Sequence, residues 1–111
     1  MTFRDVNEKL SLTSFTKAPA DDTPIHDVYV SDLLSDVMAN AKEGGLWITL
    51  QAHVNIVAVA SMKNIIAVIL VNGRRPDGET IEKAEAEGIA LLGTDLNAFE
   101  LAGTLYTMLH G

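Results

Sequence analysis

The chain has 111 residues, 48% of them hydrophobic and 21% charged, the proportions of an ordinary globular domain rather than of a disordered tail or a membrane protein. Eight basic against fifteen acidic side chains leave a net charge of -7, which argues against a nucleic-acid binder, because such proteins cluster Lys and Arg. With no cysteine, disulfides, thiolate metal sites and a cysteine nucleophile are excluded.

Met1 to Leu10 mixes charges with isolated apolar residues and lacks the basic start and apolar run of a secretory signal, so cytoplasmic residence is expected. A short helix is predicted around Val6 to Leu10, followed by a polar, Pro- and Ser/Thr-containing connection or edge through His26. Residues 1–26 are thus read as an N-terminal helix and linker, and 27–111 as the domain proper. Val28-Tyr29-Val30 reads as a strand running into a helix with Leu33, Leu34, Val37 and Met38 at helical spacing, capped by Ser31 or Asp32 and stopped by Gly44-Gly45.

Leu46 to Leu50 is a second strand, and Ile65 to Val71 a third, apolar throughout as central parallel strands are. That run falls far short of the roughly 20 residues a membrane-spanning helix needs. Between these strands, Asn55 to Met62 is ambiguous by pattern: Val54, Ile56, Val57 and Val59 favour a strand, whereas Asn55 could cap a helix ending near Asn64. Asp77 is placed to cap a helix through Glu87 with Gly88 at its C-terminal left-handed position. A fourth strand over Ile89 to Leu92 and a helix over Asp95 to Leu109, with Ala98, Leu101, Ala102, Leu105 and Leu109 in one stripe, complete the chain. The alternation predicts an α/β domain of two or three layers, with a mainly parallel sheet of about four strands and crossover helices.

From Leu46 to Leu109 the chain resembles the DRTGG domain family. The features that carry the resemblance are Trp47-Ile48-Thr49-Leu50-Gln51-Ala52-His53-Val54-Asn55, the strand ending Val71-Asn72-Gly73, Pro76, and Thr94-Asp95-Leu96-Asn97-Ala98-Phe99. The literal motif letters are absent, and His53-Val54 stands where the family pattern has an Asp-Arg pair. The resemblance implies a helix over Asn55 to Met62 and a regulatory, accessory role of the kind the family plays beside CBS domains. The chain is similar, more distantly, to the N-terminal domain of HPr kinase/phosphorylase, but no G-x-x-x-x-G-K-[ST] phosphate loop occurs in it.

In a parallel sheet the loops after successive strands gather at the carboxyl edge, where open α/β folds bind ligands. The residues expected there are Ser31 and Asp32, then Thr49, Gln51, His53 and Asn55, then Asn72, Gly73 and Arg74, and last Thr94 and Asp95. Helix-start amides with Arg74 or Arg75 nearby suit a small anionic ligand or a nucleotide. Ordinary helix capping accounts for most of the same Ser, Asn, Thr and Asp residues. His26, His53 and His110 are too scattered for a metal site, and no G-x-S-x-G elbow supports a hydrolytic triad of a serine with His53 and Asp95. No catalytic residue, metal or cofactor is therefore expected. The expected partners are a second copy of the chain, as a twofold homodimer, and a protein partner, with neither nucleic acid nor membrane. Two readings result: a ligand-sensing regulatory domain, and a structural interaction module.

Overall fold

The computed structural model describes residues 1–111, and its centre is a run of backbone that water does not reach on either side. Strands β3 (Gly45–Thr49), β4 (Ala67–Leu70) and β5 (Leu91–Gly93) are buried at every position, and they pair in parallel, Leu46 with Ala67 and Val68 with Leu91. Because side chains alternate across a sheet, such strands require cover on both faces. Leu46, Ile48, Ala67, Ile69 and Leu92 turn to one side, where they meet Phe3 and Val6 of α1 (Phe3–Leu10) and Leu101 and Leu105 of α5 (Ala98–His110). Trp47, Val68, Leu70 and Leu91 turn to the other, against α2 (Leu34–Asn40), α3 (Asn55–Met62) and α4 (Gly78–Glu87). The fold is therefore a three-layer α/β sandwich.

The sheet has five strands in the order β1-β5-β4-β3-β2, one more than the sequence reading. Strand β2 (Asp27–Val30) runs parallel to β3 at one edge, and β1 (Thr13–Ser14) pairs antiparallel with β5 at the other. The segment read as a connection or an edge supplies this edge strand. Thr16 fastens it, its hydroxyl donating to the Ile89 carbonyl at 2.7 Å and accepting from the Leu91 amide at 2.9 Å. Residues 1–26 are joined to the body elsewhere too: Ile25 is buried beside Phe3 and Val6, and the Phe3 amide bonds the Thr23 carbonyl.

Residues 55–62 are helical. Ile56, Val57, Val59 and Ala60 are all buried against α2, α4 and the sheet, so apolar side chains occupy most of the circumference and no single stripe shows the helical period. Gly88 ends α4 at φ 70° as expected. Four caps differ from the sequence reading. Asp77 holds the N-cap position of α4, but its carboxylate makes no cap hydrogen bond and pairs with His53 instead. Helix α2 begins after Leu33 with no side-chain cap, because Ser31 and Asp32 are engaged before the helix starts. Helix α3 has Val54 at its cap position, and Asn55 is its first helical residue. Helix α5 begins at Ala98, where Asn97 and Glu100 satisfy each other's backbone amides in a capping box, and Asp95 lies outside the helix.

Asn97→Ala should lower stability by about 1 kcal/mol, the usual cost of an N-cap, which shifts the melting temperature by roughly 4–8 °C in a domain of this size. Asp95→Ala should stay within about 0.5 kcal/mol of the parent protein. Thermal denaturation of the two variants followed by circular dichroism checks the assignment.

Candidate functional site

The carboxyl ends of β2 to β5 do bring the expected polar residues to one rim, but in separate groups. Strands β2 to β5 lie in sequential order. No reversal of strand order opens a crevice between neighbours, which is where doubly wound sheets place their ligands.

At the β2–β3 end, the polar groups are consumed by one another. The Asp32 carboxylate accepts from the Thr49 hydroxyl and the Leu50 amide, both at 2.8 Å, and the Gln51 side-chain amide donates to the Asp32 carbonyl at 3.0 Å. Trp47, fully buried on the sheet, donates its indole N–H to the Ser31 carbonyl at 2.8 Å. Ser31, Asp32, Thr49 and Gln51 therefore knot two loops together.

His53 and Asn55 stand apart from this knot. His53 pairs with Asp77 at 3.1 Å, with the two side chains 67% and 54% exposed, so its carboxylate partner is Asp77 rather than Asp95. Asn55 is exposed at the start of α3. Asn72 and Gly73 both have positive φ, 59° and 67°, and the Arg74 amide closes their turn onto the Val71 carbonyl, a conformation that Asn-Gly adopts readily. The two turn amides are already used, Asn72 to the Leu96 carbonyl and Gly73 to the Thr94 carbonyl, each at 2.9 Å.

The remaining residues line an open cleft of about 330 Å³ where β1 meets the ends of β4 and β5. Gly73, Arg74, Thr94 and Asp95 belong to it, together with Ser11, Thr13, Phe15 and Arg75 from outside the expected set. The Arg75 guanidinium sits 5.1 Å from the centre of the Phe15 ring, a cation–π contact. Gly93 makes room for that ring, since a Cβ there would come within 2.7 Å of it. The three ion pairs of the structure are Arg4–Asp21, His53–Asp77 and Lys83–Glu87, so neither cleft arginine has a carboxylate partner. The adjacent Arg74-Arg75 pair was visible in the sequence. Phe15, Ser11 and Thr13 were not, because only the β1–β5 pairing carries them to the rim.

No family model and no curated protein matches the chain. Among solved structures it is similar to the CBS and DRTGG domains of the regulatory region of Clostridium perfringens pyrophosphatase, complexed with the activator diadenosine tetraphosphate, with a TM-score of 0.73 and 19% sequence identity over 91% of this chain. The fold is DRTGG-like. The chain spans 44% of that solved chain, so the DRTGG-like fold here corresponds to less than half of it.

One carboxylate at this rim is tuned by its surroundings. Asp36 is held below the ordinary carboxylate range by hydrogen bonding from Ser31, Tyr29 and Asn40, and the Tyr29 phenol, donating to Asp36 at 2.8 Å, is pushed up in turn. A carboxyl whose folded pKa is lowered contributes stability above its unfolded value, which is lost as the pH falls through the folded value. A phenol whose folded pKa is raised contributes below its unfolded value and loses that contribution at higher pH. Stability should therefore decline below about pH 4 and above about pH 10, and Tyr29→Phe should flatten both limbs. Urea denaturation across pH tests this, and unchanged limbs in Tyr29→Phe would remove the pair from the account.

Proposed function

We propose that this chain is a non-catalytic regulatory domain that senses a small phosphorylated molecule in the cleft between β1, β4 and β5, and acts through protein partners. The reading rests on Arg74 and Arg75, two arginines without carboxylate partners at one cleft of an otherwise acidic protein. A guanidinium presents a planar fork of donors that matches phosphate oxygens. With Arg75 over the Phe15 face, its donors are held at the rim. Asp95 tempers the site to a local charge near +1, enough to favour an anion in a chain of net charge -7. The cleft volume lies at the lower end of the range for small-molecule sites. The regulatory region that shares this fold over 44% of its length was solved with a dinucleoside polyphosphate activator, which supports a phosphorylated ligand and a nucleotide among the first to try.

A second reading, an interaction module without a small ligand, is favoured by Phe99 and Tyr106, which stand 87% and 67% exposed on α5. A thermal-shift series with adenine and guanine nucleotides, diadenosine tetraphosphate, acetyl phosphate and small dicarboxylates separates the two. Ligand binding to the native state raises apparent stability by about 2.7 kcal/mol at a hundredfold excess over Kd. One phosphorylated compound should stabilise the protein saturably, Arg74→Ala and Arg75→Ala should abolish the effect, and Asn55→Ala, away from the cleft, should leave it intact. A flat response across the series would leave the interaction module as the better reading.

A further inference from the structure

The end of the sheet opposite the cleft carries an unprotected edge. Strand β2 pairs with β3 alone. The Ser31 amide donates to the Ile48 carbonyl, and in a parallel ladder alternate residues bond the same neighbour. Tyr29 therefore faces β3 as well, while the amides and carbonyls of Val28 and Val30 point away from the sheet. Natural edges are usually blunted by lysine, proline or a bulge. Asp27–Val30 has no lysine or proline, and its register with Gly45–Ile48 is unbroken.

Apolar surface borders this edge. Phe99 and Tyr106 lie seven residues apart on α5 and so on one face. Val30 and Leu33 are 47% and 64% exposed. Between β2 and the end of α5 runs a groove of about 320 Å³ with Val28, Val30, Ala102, Tyr106 and Leu109 in its lining. Its polar members are Asp27 and His110, and none of the eight basic Lys and Arg side chains lines it.

We propose that this face binds a second copy of the chain, with β2 of each protomer pairing antiparallel across a twofold axis. A twofold rotation normal to the sheet reverses strand direction, so antiparallel pairing is the one arrangement it allows. Val28 of one protomer then exchanges amide–carbonyl bonds with Val30 of its partner, and Val30 with Val28, while the two Tyr29 residues meet on the axis. The rotation keeps both α5 helices on one side of the joined sheet, where Phe99 and Tyr106 of the two copies line the seam. The exposed portions of Phe99, Tyr106, Leu33 and Val30 come to roughly 400–500 Å² per protomer. Doubled by symmetry and supplemented by strand backbone and groove, this reaches the ~1,000 Å² that separates a specific interface from incidental contact.

Sedimentation velocity on the full chain at about 100 µM, a concentration at which even a modest dimer is populated, should give twice the 11.9 kDa mass of one chain. The double variant Phe99→Glu/Tyr106→Glu changes only exposed side chains and should sediment as a monomer with an unchanged circular dichroism spectrum and melting cooperativity. Val30→Pro tests the strand pairing separately. It deletes an outward amide that bonds nothing within the protomer, the one place an edge strand tolerates proline, and should weaken association at least tenfold. A monomeric parent protein, or a dimer that survives either variant, overturns the proposal.

Discussion

The burial of β3, β4 and β5 on both faces is the constraint from which the architecture follows. An apolar strand with one face open would leave half its side chains in water, so each strand demands a helix layer above and below. The short crossovers supply one layer with α2, α3 and α4. They cannot supply the other, because right-handed crossovers between sequentially ordered strands fall on a single face. The second layer must come from the segments before and after the parallel unit. This is why Phe3 and Val6 from the N-terminus meet Leu101 and Leu105 from the C-terminus over Leu46, Ile48 and Ile69.

The same ordering decides where chemistry can sit. With no switch in strand direction among β2 to β5, the loops at the β2–β3 end close on each other and satisfy their own polar atoms, as Asp32, Thr49 and Gln51 do. At the carboxyl ends of these strands, the cleft opens where the pattern breaks, at the antiparallel strand β1. There the chain arrives from α1 rather than from a crossover helix, and Phe15 is laid across Gly93, leaving space in front of Gly73 and Thr94.

The parallel strands and α4 were legible because each carries a local signal: uninterrupted apolar residues from Ala67 to Leu70, and a glycine at the end of α4. Helix α3 was illegible by pattern because burial on several sides erases the period that marks a helix, and only the resemblance to DRTGG domains pointed to it. Strand β1 left no trace, since Thr13 and Ser14 are exposed and their pairing with Leu92 and Gly93 spans most of the chain. The grouping of the polar rim residues was illegible for a related reason. Gly73, Arg74, Thr94 and Asp95 line one cleft, but side-chain type could not say that Asp32 would be spent on Thr49, that His53 would face Asp77, or that an aromatic from the N-terminal segment would complete the cleft.

The cleft and the β2 edge lie at opposite ends of the sheet, yet one helix belongs to both. Leu96, at the cleft, directly precedes Asn97, whose capping box fixes the first turn of α5. That helix packs over β3 and β2 and presents Tyr106 beside Val30 at the far edge. Leu101 and Leu105 are fully buried along its length, so a shift of α5 would have to repack the core beneath it. A ligand that repositions the Thr94–Leu96 loop can act on the edge through this helix, or through the Asn72-Gly73 turn that the loop bonds and the β4-β3-β2 ladder behind it. Any coupling it transmits is reciprocal, so association at the β2 edge would change affinity at the cleft by the same factor that the ligand changes association.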